Sequence, residues 1–282
     1  MSLSFAAIVL LAAVLHAIWN AIVKTGEDRM LTLTLVIGAG SVMAAMVLPF
    51  IEPPDPKSWP YLLLSTVLHT AYYFLLIRAY HYGDLSLVYP VSRGSAPLLV
   101  AFGAAAFFSE VPTSMELAGL ILASLGIAAF ALERKKGEKW DYRPFLYGLA
   151  IAAFVSAYTL ADGIGVRLSG NPLSFIIWLF FVYALPLVFS SLIFKRREFI
   201  PYLRMHWWRT GVIGGGMCAI AYALVVWALM SAPMAHVSAM RETSVVFAAL
   251  IGMFALGESF GPRRIIAALM VTAGLIIMQL FG

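Results

Sequence analysis

The stretch Thr210–Met240, TGVIGGGMCAIAYALVVWALMSAPMAHVSAM, runs for 31 residues without an Asp, Glu, Lys or Arg. As one helix it would measure about 46 Å at 1.5 Å per residue, against a hydrocarbon core of about 30 Å. It is too long for one membrane crossing and too uniformly apolar for the alternating strands of about ten residues that build a membrane barrel. Ser231-Ala232-Pro233 divides it, because proline does not continue a helix. Two helical spans therefore come from this stretch, and the same reading organises the chain outward from it. Uncharged runs at Met1–Val23, Met30–Ile51, Ser58–Ile77 and Leu168–Phe194 each supply another span. The spacing predicts ten spans, at about 4–24, 31–51, 60–82, 87–108, 115–133, 144–166, 173–194, 210–230, 236–256 and 264–281. The expected fold class is an all-α polytopic membrane protein with ten transmembrane helices.

Composition agrees. Of 282 residues, 62% are hydrophobic and 12% charged, whereas a soluble domain has about 45–50% and about 25%. That excludes an ordinary soluble enzyme, a disordered chain and, despite a net charge of +5, a nucleic-acid partner. The single cysteine, Cys218, excludes disulfide frameworks and cysteine-rich metal sites. The first run has no basic residue before Lys24, so it reads as a retained span, not a cleaved signal.

Orientation follows from the distribution of cations. One face collects Lys24, Arg29, Arg134, Lys135, Lys136, Lys139, Arg143, Lys195, Arg196, Arg197, Arg204, Arg209, Arg263 and Arg264. The other holds Lys57 and Arg167, and Arg78, Arg93 and Arg241 remain within spans. The expectation is a multi-pass protein of the plasma (inner) membrane, with both termini on the non-cytoplasmic side.

Ten spans divide into two sets of five. An offset of 148 residues lays Arg93 on Arg241, Glu110 on Glu258 and Gly126 on Gly274. An odd number of spans per set inverts the second relative to the first, the architecture of many secondary transporters. The expected organisation is a first five-helix repeat over 1–133, a basic cytoplasmic linker over 134–143 and a second inverted repeat over 144–282.

The sequence resembles the drug/metabolite transporter superfamily in its ten-helix EamA-type branch. The resemblance rests on His16-Ala17-Ile18-Trp19-Asn20 in span 1 and Tyr89-Pro90-Val91-Ser92-Arg93-Gly94 with Pro97 in span 4. In span 9 it rests on Met240-Arg241-Glu242-Thr243-Ser244 and Leu256-Gly257-Glu258. It implies an export-type carrier in which spans 1, 3, 4, 6, 8 and 9 surround a central cavity, with the fifth and tenth spans peripheral. One departure stands out: where the second half has Leu-Gly-Glu, the first has Phe108-Ser109-Glu110.

Ionisable residues inside a membrane are costly and usually face a cavity or one another. Arg93 and Arg241 are substrate-binding candidates, since a guanidinium fork pairs with carboxylates and stays charged; the structural alternative is an arginine satisfying backbone carbonyls. Glu242 and Asp162 are the proton-coupling candidates. Glu242 adjoins Arg241, and on a regular helix the two point about 100° apart. His16 and Asn20, spaced i, i+4, share a helix face and with Trp19 beside them are further substrate-binding candidates; the alternative for the polar pair is an interhelical hydrogen bond. Tyr73 and Tyr89 are candidates to line a cavity. Glu110 and Glu258, at span ends, suit capping or pairing between loops. No group of His, Asp or Glu has metal-ligand spacing, so neither a metal nor a cofactor is expected, nor is a catalytic set. The longest connection, Lys195–Arg209, has 15 residues and leaves no room for an ATPase.

The function these features suggest is secondary transport, with export the expected direction. The substrate is a small organic metabolite bearing an anionic group, such as an amino acid or an organic carboxylate or phosphonate, moved by alternating access around a midplane cavity. A proton-coupled drug or cation exporter is the alternative within transport, and an intramembrane lipid-modifying enzyme the alternative outside it. The partners implied are the small-molecule substrate, the lipid bilayer and protons as coupling ion, for a monomer or a homodimer.

Overall fold

Each apolar run forms helix, and polar residues set several of its ends. The computed structural model describes residues 3–24, 26–82, 85–129, 142–256 and 262–281. Helix α1 covers Leu3–Lys24 and α2 Arg29–Val47, where Asp28 caps the N-terminus by accepting from Leu31 N at 3.0 Å. Helix α3 (Trp59–Tyr82) follows a short 3₁₀ turn over Pro56–Ser58, and α4 spans Leu85–Phe108. A reciprocal capping box, Thr113 with Glu116, opens α5 (Ser114–Ala129). Helix α6 (Arg143–Leu168) carries proline in its first turn, and α7 (Pro172–Phe194) is capped by Asn171. Helix α8 (Arg196–His206), a π-helical segment (Trp207–Gly215) and α9 (Gly216–Leu229) follow without interruption. The chain closes with α10 (Met234–Arg241), α11 (Ser244–Leu256) and α12 (Pro262–Phe281). Among the described residues there is no strand.

Seven helical stretches are each long and apolar enough to cross a membrane, and shorter apolar helices lie at Ser114–Ala129 and Ile265–Phe281. The remaining span is built from α10 and α11 together. Ten membrane-crossing units result, as the sequence predicts. The turns sort onto two faces. On one, Lys195 Nζ meets Asp28 Oδ2 at 2.7 Å and Thr32 Oγ1 meets Tyr202 Oη at 2.5 Å, joining the α1–α2 turn to the α7–α8 region. On the other, Asp55 N donates to Ser169 O at 3.0 Å, joining the α2–α3 and α6–α7 turns. The first is the basic face, which also carries exposed Arg196, Arg197, Arg204 and Arg209.

The interior is a continuous apolar cluster that includes Leu62, Phe175, Leu179, Leu187 and Leu229, each essentially inaccessible. Many large apolar side chains point outward instead, Phe102, Phe107 and Ile193 each being over 70% exposed. In lipid that exposure costs nothing, so the helices are held by close packing and not by escape from water. Helices α5 and α12 show this best. A Cβ on Gly119 would lie 2.6 Å from Gly274 O, and one on Gly126 would lie 2.9 Å from Ala267 O. One contact steps forward along α5 as the other steps back along α12, so the two helices run antiparallel with backbones touching. Gly126 and Gly274, the equivalent glycines of the two repeats, thus line a single seam.

Three expectations need correction. The ninth span is not one helix over 236–256: it breaks at Glu242–Thr243, where Thr243 Oγ1 donates to Met240 O at 2.7 Å and competes with the helical ladder. Nor do Arg241 and Glu242 diverge: their long side chains reach around the helix and pair with each other. The connection Lys195–Arg209 is not a loop. Its charges hid the short basic helix α8, which none of the interior covers, and span 8 then enters the bundle as a π-helix.

Candidate functional site

The unbroken α4 and the broken α10–α11 bring three charged side chains together in the middle of the bundle. Glu242, wholly buried, bridges two guanidiniums. Arg241 Nε and Nη2 donate to its Oε1 at 3.1 and 3.0 Å. Arg93 Nη1 reaches the same carboxylate at 3.3–3.4 Å. Two arginines against one glutamate leave one positive charge in excess. Arg93 Nη2 also lies 3.2 Å from His16 Nε2. Arginine only donates, so His16 accepts there and carries its proton on Nδ1.

Beside this cluster lies a cavity that opens to one side of the bundle. Its wall includes His16, Trp19 and Asn20 of α1, Arg93 of α4 and Tyr73 of α3. Asn20 Nδ2 donates to His16 O at 2.9 Å, which fixes its orientation along α1. The Trp19 ring stands edge-on to His16, at 5.0 Å between centroids, and its Nε1–H has no hydrogen-bond acceptor.

The residues predicted from the sequence separate here. His16, Trp19, Asn20, Tyr73 and Arg93 line the cavity, while Arg241 and Glu242 are not on its wall. Arg241 stands behind Glu242, with Nη1 3.5 Å from Thr159 Oγ1. Asp162 also lies off the cavity wall, in contact with Tyr222, which is on it. Tyr89 belongs to α4, but its side chain lies outside the described residues, as does Glu258. Arg78 is exposed, as a side chain near a helix end should be.

Sequence reading missed the aromatic wall. His69 stacks on Tyr158 at 3.9 Å between centroids and meets Tyr183 and Tyr222 edge-on at 5.1 and 5.5 Å. These rings come from α3, α6, α7 and α9, so no local pattern could assemble them. The one local hint is Tyr158-Thr159…Asp162, which places a ring and a carboxylate one turn apart on α6.

The cavity is one-sided. Its lining runs through the C-terminal halves of α1 and α3 and the N-terminal halves of α2 and α4, including Val23, Arg29, Ile77 and Val88. All of these lie toward the basic face. The opposite face is tied shut around Arg167 at the end of α6. Its Nε donates to Leu229 O at 2.9 Å, Nη2 to Ala232 O at 3.0 Å, and Nη1 to Glu110 Oε1 at 2.5 Å. Glu110 Oε2 in turn accepts from Met234 N at 2.8 Å, capping α10. The pairing between loops expected of Glu110 is thus present.

The turn that presents Glu110 answers the departure noted at Phe108-Ser109-Glu110. Ser109 adopts φ +57°, the left-handed conformation that glycine usually supplies at a helix end. Glu110 N donates back to Ala104 O at 3.2 Å, closing the helix.

Among the described residues no group of His, Cys, Asp or Glu is placed to hold a metal ion. A comparison with curated proteins finds no match. Among solved structures, a crystal structure of a protein matches over 99% of this chain and 99% of its own, with a TM-score of 0.82 at 16% identity, a likeness of fold. The family model of the EamA-like transporter family matches residues 3–132 and again 143–280. The chain therefore belongs to the EamA-like transporter family, as a multi-pass membrane transporter of the drug/metabolite type.

Proposed function

We propose that this transporter is a secondary carrier exporting a small organic metabolite with an anionic group, such as an amino acid or an organic carboxylate or phosphonate. The observation that carries the reading is Arg93 on the cavity wall, in contact with His16 and with Trp19 and Asn20 on the same wall. An anion there gains a guanidinium fork, and it offsets the excess positive charge left by two arginines and one glutamate. Arg93 is the looser of the two guanidiniums on Glu242, so it is the one a substrate anion can draw away. Arg241 then holds Glu242 in place as a fixed counter-charge. Tyr73 and the other rings offer flat apolar surface for the body of the substrate.

The direction comes from the charges. With the basic face cytoplasmic, both termini lie outside a plasma membrane and the cavity opens to the cytoplasm, the loading side of an exporter. The tie around Arg167 is then the closed outer gate, and the two five-helix repeats, with a basic linker between them, rock around the site.

A thermal-shift screen of the purified protein against amino acids, organic carboxylates and phosphonates tests the site, with organic cations as the contrasting class. Stabilisation by an anionic compound is expected in the wild type and its loss is expected in Arg93→Ala, with counterflow of that compound in proteoliposomes abolished by the same change. Stabilisation by cations alone, unaltered in Arg93→Ala, would establish the drug or cation exporter instead.

A further inference from the structure

Among the described residues, two carboxylates are fully buried in the middle of the bundle, and they keep different company. Glu242 is held by two guanidiniums. Asp162, equally inaccessible on α6, forms no ion pair among the described residues. Its Oδ2 accepts from the Tyr222 hydroxyl at 2.5 Å, and its Oδ1 has no hydrogen-bond partner.

The polar and titratable groups that face Asp162 come from α3, α6, α7, α9 and α10. Tyr222 of α9 and Tyr183 of α7 are neutral phenols, and Tyr158 lies one turn back on α6. Ser65 of α3 lies beside the carboxyl, close enough for its hydroxyl to act on it, and that hydroxyl also meets His69 Nδ1 at 3.1 Å. Arg241 of α10 is the one cation in this set, and it is committed to Glu242 and Thr159. A bare carboxylate so placed is costly in a membrane interior, and a neutral acid is not. Oδ2, which accepts from the Tyr222 hydroxyl, is the oxygen through which a proton reaches this carboxylate.

Tyr222 also lines the cavity, so its ring stands between Asp162 and the cavity. We infer that Asp162 is the proton-binding site of this carrier, exchanging with the cavity through Tyr222, and that the proton is the coupling ion. Glu242 has no such part, because its charge is already spent on the arginines. The exchange balances simply: water gives a proton to the Tyr222 oxygen as the Tyr222 hydrogen passes to Asp162, and the reverse step returns it. Only O–H bonds form and break. The inference rests on the transport reading of the cavity for its use in a cycle, but the protonation itself does not.

Infrared spectroscopy of the full-length protein in lipid nanodiscs tests it without any transported molecule. At neutral pH a carbonyl stretch of a protonated carboxyl is expected that shifts with isotope-labelled aspartate, persists in Glu242→Gln and is absent in Asp162→Asn. Labelled wild type makes the assignment even if Asp162→Asn fails to fold. The band is expected to move on transfer to heavy water and to fade as pH is raised. In Tyr222→Phe that exchange should slow on the order of a hundredfold, the low end of what a positioned proton-transfer group supplies. A band insensitive to aspartate labelling, no protonated band at all, or one that neither exchanges nor titrates would overturn the proposal. Such a failure leaves the anion site at Arg93 standing, and failure of the anion screen leaves the proton site standing.

Discussion

Helix α4 and its counterpart α10–α11 occupy the same place in the two repeats, and they part company just past their arginines. Helix α4 runs unbroken from Leu85 to Phe108, carrying Arg93 on the cavity wall. Its counterpart stops at Arg241, turns at Glu242–Thr243 and restarts at Ser244, with Arg241 folded behind Glu242. Two inverted copies of one plan have taken different conformations, and that asymmetry is what lets a cavity open on one face while the other is closed. A perfectly symmetric pair would open to both faces or to neither.

The sharpest way to test this division is to remove each arginine in turn. Arg241→Met takes away the two shorter hydrogen bonds on a fully buried carboxylate and leaves it with Arg93 at 3.3–3.4 Å. Breaking a buried ion pair costs about 3–5 kcal/mol, so this variant is expected to lose thermal stability heavily. Arg93→Met leaves Glu242 on its closer partner and is expected to cost much less, while abolishing the stabilisation by anionic compounds. Equal losses from the two variants, read by thermal denaturation in detergent, would break the comparison.

The ends of the fourth spans provide the next test. Arg167 and Glu110 close the face opposite the cavity through three donated hydrogen bonds and one cap. Arg167→Ala is expected to let that face open. In a Cys218→Ser background, a cysteine in place of Ala232, only 3% exposed beneath the tie, reports the opening by its reaction with a membrane-impermeant maleimide. Losing about 1.4 kcal/mol of closure corresponds to roughly a tenfold faster reaction. An unchanged rate would mean that other packing alone holds the face shut.

Much of this architecture is legible in the sequence, because the bilayer permits few solutions. Uncharged runs must be helices of a set length, so nine of the ten span positions fall within a few residues of the helices seen, and Pro233 marks the start of α10 as its dipeptide neighbourhood suggests. The arginines and Asp162 are conspicuous because charge is rare there. What the sequence conceals is pairing between distant helices. Nothing local says that Glu242 faces both arginines, that Arg167 meets Glu110, or that rings of three other helices surround His69. The break at Glu242–Thr243 is hidden for another reason: hydropathy counts Thr and Ser as tolerable in a span, yet their hydroxyls compete for helical carbonyls.

A smaller effect sharpens the comparison at the turn before Glu110. The first repeat has Ser109 where the second has Gly257. Ser109 holds φ +57°, a conformation that costs a residue with a Cβ about 1–2 kcal/mol. Ser109→Gly relieves that cost but loosens the unfolded chain, so a net gain of up to about 1 kcal/mol in thermal stability is expected. The tie at Arg167 should be undisturbed, with the labelling rate at position 232 unchanged. A loss of stability would show that the serine hydroxyl contributes more than its backbone costs.

The smallest expected effect lies at the basic face, where Asp28 and Lys195 join the first repeat to the second at 2.7 Å. Partial burial raises the Asp28 carboxyl, but its hydrogen bonds to Lys195 and Leu31 outweigh that and bring it below the usual carboxylate range. The hydrogen bonds to Asp28 and Glu198 push Lys195 above its usual value. The lowered acid contributes stability that is present above its ordinary value near pH 4 and lost as pH falls through the lowered one. The raised base contributes below its ordinary value near pH 10 and loses that contribution as pH rises through the raised one. The difference in stability between wild type and Lys195→Met should therefore be flat from about pH 5 to pH 9 and shrink at both ends. Both side chains are about a third exposed, so the plateau should be under about 1 kcal/mol, far below the loss in Arg241→Met. A plateau as large as that loss would mean that the open face is held as firmly as the buried core, and the contrast between the two arginines would no longer explain which face opens.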